Sequence, residues 1–167
     1  ATPKTMEWIE KLKQESKKNG TVGCVVLDKQ GNLTAGTSTG GMFKKRWGRI
    51  GDSPVIGAGT YADNNSCAVS CTGHGEYFIR HAVAFDVCAR YKYLKESVEK
   101  AADYIIHTEL NTNAGNGGLI AVDKLGNIAM PYNSGGMFRG FLYKEKGRPE
   151  IKKGCGIGKK IVVVGEK

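Results

Sequence analysis

The sequence predicts a layered α+β fold, in which helices pack against antiparallel β-structure. Two similar segments, 26–33 and 121–128, each have the pattern of a β-hairpin. Between them, an apolar strand pattern at residues 66–72 runs directly into helical patterns that extend to about residue 109. The resulting order of hairpin, loop, strand, two helices and hairpin is typical of helices segregated to one side of a sheet.

The chain changes character at residue 20. Residues 6–18 carry Trp8, Ile9 and Leu12 on one side of a helical pattern, which predicts a short amphipathic helix. Residues 17–20 then have the composition of a flexible, exposed linker. Small and apolar residues follow, and they predict a buried strand over residues 21–27. We therefore expect the body of the domain to begin at Thr21.

Both hairpin segments contain the same turn, Asp-Lys-x-Gly-Asn, whose Gly and Asn tolerate a positive φ angle. The similarity continues further, since residues 38–43 (STGGMF) correspond to residues 133–138 (NSGGMF). Two copies separated by a different segment do not make a solenoid, which needs at least three repeats. We therefore expect the two hairpins to lie side by side as antiparallel pairs in one sheet.

Two helical patterns follow the strand predicted at residues 66–72. The first covers about residues 75–91 and the second about residues 95–109. The apolar residues at helical spacing are Phe78, Ile79, Ala82, Val83 and Val87 in the first, and Val98, Ala101, Ala102, Ile105 and Ile106 in the second. After Arg139 the chain is rich in Lys and Gly, and only residues 161–164 are predicted as a strand.

The composition is that of an ordinary soluble globular protein. The 167 residues are enough for one domain with a hydrophobic core, and 40% of them are hydrophobic. No apolar run approaches the ~20 residues that span a bilayer, and no signal-peptide pattern opens the sequence. The five cysteines (Cys24, Cys67, Cys71, Cys88 and Cys155) form no CxxC pair. We therefore expect reduced core cysteines in a cytoplasmic protein, with no disulfide framework and no metal site.

The net charge of +9 raises the question of a nucleic-acid partner. The basic residues gather in three segments, 11–18, 44–46 and 144–160, and none of these matches a nucleic-acid-binding motif. Aromatic residues do not alternate with them, as a base-stacking surface would require. Solvated loops and tails are the favoured interpretation, and a non-catalytic basic binding module stays open as an alternative.

Thr21 is the candidate nucleophile. A threonine hydroxyl needs a base, and His74, His81 and His107 form no convincing Ser-His-Asp arrangement. Cleavage of the Gly20–Thr21 bond would give Thr21 a free α-amine, whose pKa of about 7.7–8.0 lets it act as the base for its own side chain. Taken alone, however, Thr21 is better explained as a β-branched strand residue.

Support for a catalytic role of Thr21 does not come from that residue alone. Seven glycine-rich and hydroxyl-rich segments follow one another along the chain in a recognisable order and spacing. They are 20–23 (GTVG), 37–41 (TSTGG), 48–54 (GRIGDSP), 58–62 (AGTYA), 72–76 (TGHGE), 117–121 (GGLIA) and 135–140 (GGMFRG). With these segments the chain resembles, over about residues 20–141, the plant-type asparaginase/isoaspartyl peptidase family of N-terminal-nucleophile hydrolases. The lysosomal-type glycosylasparaginases share most of the pattern.

The resemblance implies a precursor that cuts itself before the threonine. The Thr21 hydroxyl would attack the Gly20 carbonyl, and the resulting ester would be hydrolysed. The same hydroxyl would then attack the side-chain amide of asparagine or of a β-aspartyl peptide. The counterpart of Thr39 hydrogen-bonds the nucleophile in that family, and Thr72 and Gly73 would stabilise the tetrahedral oxyanion.

The resemblance also implies the substrate contacts. Arg49 would bind the α-carboxylate, which its planar guanidinium suits better than a lysine does, and Asp52 would bind the α-ammonium. Gly75 would line the amino-acid pocket, with Thr72 and Gly73 beside it, and His74 is expected to be structural or at the pocket edge. Without the resemblance, a loop salt bridge between Arg49 and Asp52 would be the simpler interpretation.

The family's architecture is a four-layer αββα sandwich made from two parts of one precursor. On this basis residues 1–20 are expected to be the end of the α-subunit and residues 21–167 the catalytic β-subunit portion. The expected partners are the α-subunit half, a small-molecule substrate and a second αβ unit, with no nucleic acid and no membrane. No cofactor is expected, and a structural Na⁺ or K⁺ would belong to the α half.

The sequence therefore predicts a threonine-nucleophile amidohydrolase acting on L-asparagine and β-aspartyl peptides. Removal of glycosylated asparagine is the second choice, because residues 135–139 (GGMFR) resemble the asparaginase branch more closely. An uncleaved, inactive precursor is a further alternative.

Overall fold

The computed structural model describes Met6 and residues 20–42, 45, 48–145, 148–154 and 160–164. The helix predicted at residues 6–18 and the linker at 17–20 lie outside the described residues, apart from Met6 and Gly20. In chain order the strands are β1 (Thr21–Leu27), β2 (Leu33–Thr39), β3 (Thr60–Ala62), β4 (Cys67–Gly73), β5 (Gly117–Asp123), β6 (Ile128–Ala129), β7 (Arg139–Glu145), β8 (Arg148–Gly154) and β9 (Lys160–Val164).

The strands form two sheets, and the predicted α+β class is correct. The first sheet has the order β2-β1-β9-β7-β8, with β9 parallel to both β1 and β7. The second sheet has the order β3-β4-β5-β6 and is antiparallel throughout. The predicted strands at 21–27, 66–72 and 161–164 correspond to β1, β4 and β9.

Both predicted hairpin turns are present and use the same hydrogen bonds. In the β1–β2 turn, Asp28 Oδ1 accepts the backbone N–H groups of Gln30 (2.9 Å) and Asn32 (2.7 Å). In the β5–β6 turn, Asp123 Oδ1 accepts those of Leu125 (2.8 Å) and Asn127 (2.9 Å). The glycine of each turn has a positive φ angle, as the sequence pattern requires.

The prediction that the two hairpins share one sheet was wrong. The β1–β2 hairpin lies in the first sheet and the β5–β6 hairpin in the second. The free edge of β1 pairs with β9 and that of β5 pairs with β4, so the hairpins belong to different sheets. A repeated turn specifies a local antiparallel pair, but it does not specify which other strand completes the pairing.

One hydrophobic core lies between the two sheets. It contains Val25, Leu27 and Leu33 from the first sheet together with Ala68, Ile120, Val122 and Met137. The side chains of β1 alternate, with Val25 and Leu27 buried, because successive residues of a strand point to opposite faces. All seven residues of β5 are buried, because a second core covers its other face.

Helices pack on the outer face of the second sheet. They are α1 (Gly75–Arg80), α2 (Val83–Ala89), α3 (Val98–Tyr104) and α4 (Leu110–Thr112), with π-helical turns at Arg90–Leu94 and Ile105–Glu109. Their apolar side chains form the second core with alternate residues of β4 and β5; the helical members include Phe78, Val83, Val87, Val98, Ile105, Ile106 and Leu110. The described layers are therefore sheet, sheet and helices.

The helix predicted at residues 75–91 is interrupted. Ala82 has a left-handed backbone (φ 44°, ψ 47°), which ends one helix and begins the next. The second helical pattern begins at α3, where Ser97 Oγ caps the helix by accepting the Lys100 N–H at 3.2 Å. It continues past residue 109 to Thr112. Apolar spacing alone does not reveal a two-residue break that keeps both segments on the same core.

Two strands after residue 138, β7 and β8, were missed. The composition of β8 (RPEIKKG) is unfavourable for a strand when the sequence is considered locally, whereas Phe141 and Tyr143 in β7 favour one and were overlooked within a Lys-rich and Gly-rich segment. In the structure they pair with each other, and β9 joins β7 to β1. Long-range pairing therefore determines their conformation.

The cysteines follow the prediction as far as the structure describes them. Cys67, Cys71 and Cys88 are buried, and Cys24 is half-buried; no disulfide joins them, and Cys155 lies outside the described residues. Hydrogen bonding with the Cys67 thiol, together with burial, raises the pKa of the Cys88 thiol. A raised pKa lowers the thiolate population, so this pair behaves as part of the core. Within the described ranges, no helix is both long enough and apolar enough to cross a bilayer.

The inter-sheet core gives a direct stability prediction. Ile120 is fully buried in it, whereas Ile56 is 84% exposed. We expect Ile120→Val to lower the free energy of unfolding by about 1 kcal/mol, because the lost methylene leaves a small cavity. We expect the same change at Ile56 to leave it within about 0.5 kcal/mol. Urea denaturation of the two variants measures the difference, and equal midpoints would contradict the packing described here.

Candidate active site

A cavity of about 450 Å³ opens where the ends of β1, β2 and β4 meet the loop before residue 55. Its wall brings together every residue that the sequence marked for cleavage, catalysis or substrate binding. These residues are Gly20, Thr21, Thr39, Arg49, Asp52, Thr72, Gly73 and Gly75. They come from two sheets and a loop, so their meeting is a property of the tertiary structure.

Thr21 and Thr39 face each other across the hairpin at the edge of the first sheet. Thr21 is the first residue of β1, Thr39 is the last of β2, and the antiparallel register pairs them directly. Directly opposed residues have Cβ atoms about 4.5–5.5 Å apart, close enough for hydroxyl groups to interact. The Thr39 Oγ1 also accepts the N–H of Gly41 at 3.0 Å, which fixes its orientation. Two hydroxyl groups are therefore held at one side of the cavity.

Thr72 and Gly73 end β4 on the second sheet. Gly73 has a φ angle of +155° and is paired with Gly117 of β5. A Cβ atom at Gly73 would lie 2.5 Å from Phe78 Cε2, so a side chain has no room there. The next residue, His74, donates its N–H to the Asn116 carbonyl at 3.0 Å. This turn leaves a hydroxyl group and backbone groups at the cavity wall.

Asp52 lies against the first residue of α1. Its side chain is 7% exposed, and its carbonyl accepts the N–H groups of Val55 (3.0 Å) and Gly59 (3.1 Å). A Cβ atom at Gly75 would come within 2.9 Å of Asp52 Oδ1. The glycine therefore makes the space in which this carboxylate lies, which links two residues that the sequence marked separately.

Arg49 forms an ion pair with Glu76, not with Asp52. Its Nη2 lies 2.9 Å from Glu76 Oε2, and the two side chains are 36% and 51% exposed. An ion pair this exposed contributes little to stability, and it joins Arg49 of the cavity wall to a residue outside that wall. Glu76 occurs within the matching segment 72–76, yet the sequence gave it no role. An exposed ion pair between a loop and the first turn of α1 leaves no spacing pattern that would have identified it.

The histidines divide into two groups. His74 is in the cavity wall, where the sequence placed it at the pocket edge. The other two have carboxylate partners: His81 Nδ1 lies 3.3 Å from Glu109 and His107 Nε2 lies 3.5 Å from Asp103. Both of these pairs join helical residues outside the cavity wall, so they do not supply a base to Thr21.

A hydroxyl cluster behind Thr39 was missed. Thr37 Oγ1 in β2 donates to the Gly59 carbonyl at 3.2 Å and lies 2.7 Å from Ser70 Oγ in β4. Thr60 Oγ1 in β3 donates to the same Thr37 oxygen. These bonds join the first sheet to the second two residues from Thr39. The signal was present, because Thr37 and Thr60 both fall in segments that carried the resemblance.

Asn133 was also missed, although it begins the repeated motif at residues 133–138. Its Oδ1 accepts the Gly117 N–H at 2.8 Å, and its Nδ2 donates to the carbonyls of Gly115 (2.9 Å) and Ile106 (3.2 Å). The side chain therefore fixes the turn whose Asn116 carbonyl holds His74. In the sequence, its position in the second copy of the repeated motif was the feature that could have marked Asn133 as structurally important.

The charged groups of the described wall are Lys45, Arg49 and Asp52. They can bind a ligand that carries both a carboxylate and an ammonium group. Among the described residues, no cluster of three or more His, Cys, Asp or Glu side chains could hold a metal ion.

Comparison with known proteins gives a family and several relatives. A family model described as "Asparaginase" matches residues 2–150. The isoaspartyl peptidase of Salmonella typhimurium strain LT2 is 54% identical over 129 residues, which cover 77% of this chain and 41% of the relative. The isoaspartyl peptidase of Escherichia coli K12 is 49% identical over 143 residues (80% and 44%), and the isoaspartyl peptidase/L-asparaginase of Mus musculus is 44% identical over 148 (81% and 44%). The chain thus spans about two fifths of the length of these curated relatives.

The close approach of β4 and β5 at this cavity is testable with two glycines. A Cβ atom at Gly117 would lie 2.8 Å from both the Gly73 Cα and the Phe78 Cζ, whereas one at Gly135 would meet nothing within 4 Å. We expect Gly117→Ala to destabilise the protein by roughly 1–3 kcal/mol, because the strands must move apart. Gly135→Ala serves as the control and should leave the midpoint of thermal unfolding nearly unchanged. A Gly117→Ala protein as stable as this control would contradict the contact.

Proposed function

This chain belongs to the asparaginase family, and we propose that it is the nucleophile-bearing part of an amidohydrolase that acts on L-asparagine and β-aspartyl peptides. One observation carries the proposal: the opposed pair Thr21 and Thr39 shares a cavity with Arg49, Asp52 and Thr72. One site thus contains a candidate nucleophile and its hydrogen-bond partner. It also contains a cation and an anion that can bind the carboxylate and the ammonium of an amino acid. The names of the relatives agree with this substrate class.

Maturation comes first in the proposed sequence of reactions. The Thr21 hydroxyl attacks the Gly20 carbonyl, the peptide nitrogen leaves as the new α-amine of Thr21, and water hydrolyses the ester. This yields a carboxylate at Gly20 and a threonine with both hydroxyl and amine groups. The position of Gly20 and Thr21 together in the cavity wall supports an intramolecular attack. The free amine then has a pKa suited to accept a proton near pH 7.

Hydrolysis of the substrate follows the same chemistry. The Thr21 hydroxyl transfers its proton to its own α-amine and attacks the side-chain carbonyl carbon of the substrate. Negative charge develops on the carbonyl oxygen, where the Thr72 hydroxyl and the Gly73 N–H would stabilise it. The leaving amine takes the proton, and water releases aspartate from the acyl-enzyme. Thr39 positions the attacking oxygen through a hydrogen bond.

The substrate's own charges would fix its orientation. Arg49 binds the α-carboxylate with guanidinium donors other than the Nη2 bond to Glu76. Asp52 binds the α-ammonium, and Gly75 keeps the space beside that carboxylate open. Glu76 would thus orient Arg49 through this ion pair. Orientation of the reacting amide toward Thr21 contributes to the rate because it removes the entropy cost of alignment.

We place this chain in a four-layer αββα sandwich as its β-subunit portion. Residues 1–20 would end the α-subunit, and residues 21–167 would form the catalytic part. The outward face of β1 supports a further layer, since Val22 is 48% exposed there and Cys24 and Val26 are only half-buried. The α half would cover this face and hold a structural Na⁺ or K⁺, and two αβ units would associate. No cofactor enters the proposed chemistry.

Two other functions are less well supported. Cleavage of glycosylated asparagine uses the same nucleophile, but the relatives reported above are named for isoaspartyl peptides and asparagine. A non-catalytic basic module would leave unexplained why these cavity groups converge. An assay with both amides separates the two enzymes, because turnover of the glycosylated substrate alone would reverse their order.

Maturation predicts a specific product. The complete protein, on incubation, should give a fragment whose first residue is Thr21. The rate constant for its formation should be independent of protein concentration because the attack is intramolecular. Intact mass together with amino-terminal sequencing measures this. A chain that stays unbroken between Gly20 and Thr21 after long incubation would contradict self-cleavage.

Catalysis by Thr21 is tested separately from maturation by producing the two parts of the protein already divided at this bond. In that assembly we expect Thr21→Ala to lower kcat for ammonia release from asparagine by at least about 10⁴-fold, because both proton transfer and attack involve this hydroxyl. Thr108→Ala is the matched control, since Thr108 is an exposed residue of the π-helical turn Ile105–Glu109 outside the cavity wall. Undiminished ammonia release by the Thr21→Ala assembly would overturn the mechanism.

A further inference from the structure

The cavity wall contains a second cation, Lys45, that the proposed chemistry does not use. Its side chain lies over the turn that follows Thr39. A Cβ atom at Gly41 would be 2.6 Å from Lys45 Cδ and 3.3 Å from its Nζ, and one at Gly51 would be 3.8 Å from the same Nζ. The ammonium group is therefore held between the turn after Thr39 and the residue before Asp52.

Glycine at these two positions makes room for the lysine. Gly41 has a φ angle of +82°, a backbone conformation that residues with side chains rarely adopt. The backbone N–H of Lys45 donates to the Met42 carbonyl at 3.0 Å, so the backbone of Lys45 is bonded to the same turn. The side chain is thus supported from its backbone to its ammonium group at the cavity.

Asparagine alone gives Lys45 no role in the proposed site. Zwitterionic asparagine has one carboxylate and one ammonium, which Arg49 and Asp52 would bind. Among the described residues, no carboxylate forms an ion pair with Lys45, whereas Arg49 is paired with Glu76. In the described part of the wall, Lys45 is therefore available to a second anionic group of the substrate.

A β-aspartyl dipeptide supplies that group. It carries the same α-carboxylate and α-ammonium as asparagine, and its leaving amino acid adds a C-terminal carboxylate. The ammonium of Lys45 is a flexible point charge that can bind a carboxylate on leaving groups of different size. A charge on the leaving part adds to binding without altering the groups that react at Thr21.

We propose that Lys45 is a specificity-determining residue that binds the C-terminal carboxylate of the leaving amino acid. The site then favours β-aspartyl dipeptides with a free carboxylate over the same dipeptides with a C-terminal amide. This inference rests on the proposed function and names the substrate class within it. Because Lys45 is exposed, the preference is modest, about fivefold in kcat/KM, and it decreases as the salt concentration rises.

The test uses the complete, matured enzyme with β-aspartyl-leucine and β-aspartyl-leucine amide. The quantity measured is the ratio of kcat/KM for the acid to that for the amide. Comparing this ratio between variants cancels the different basicity of the two leaving amines. We expect Lys45→Gln to lower the ratio about fivefold relative to the wild type, and Lys45→Arg to retain most of it.

Lys124→Gln is the matched control, because Lys124 is an exposed lysine of the β5–β6 turn outside the cavity wall. It should keep the wild-type ratio. The wild type and the variants are each checked for complete cleavage before Thr21. If Lys45→Gln lowers kcat/KM equally for both dipeptides, or for neither, the proposed role of Lys45 is overturned. Hydrolysis of the dipeptides in that experiment still upholds the proposed function. A matured wild type that hydrolyses neither dipeptide nor asparagine rejects the proposed function and this inference with it.

Discussion

The face-to-face packing of the two sheets is the constraint on which the site depends. Thr21 and Thr39 end strands of the first sheet, and Thr72 and Gly73 end a strand of the second. The shared core around Val25 and its neighbours holds these ends together. Cores pack to high density and resist displacement, so strand ends attached to them stay in register. The hydroxyl cluster at Thr37 adds a polar connection between the same sheets close to the cavity.

Glycine determines how closely the second sheet approaches the cavity. Gly73 and Gly117 let β4 and β5 meet at a distance that any side chain would increase, and Gly75 leaves space for the Asp52 carboxylate. The Asn133 side chain then fixes the turn at residues 115–117 through its hydrogen bonds. Groups that are preorganised in this way stabilise developing charge without rearranging during the reaction. The glycine-rich segments of the sequence thus serve both close packing and the shape of the site.

The fold was predictable where short-range chemistry decides it. The two Asp-Lys-x-Gly-Asn turns close on themselves through an aspartate that accepts two nearby N–H groups, and both are present. The break at Ala82 and the strands β7 and β8 were not predictable in this way. Ala82 takes a left-handed conformation that alanine disfavours, which surrounding contacts must impose. The late strands depend on β9, which lies between β7 and β1 in space but follows both in sequence.

By itself, the sequence determined the turns, the strands β1, β4 and β9, and a set of residues that line one cavity, because ordered motifs preserve identity and spacing. The tertiary structure alone decided that the hairpins lie in different sheets, that Arg49 pairs with Glu76 and that Lys45 reaches the cavity. The physical reason is the range of the forces involved. A turn is stabilised by bonds among five consecutive residues, whereas pairing and packing join residues far apart in the chain and depend on how the entire core is filled.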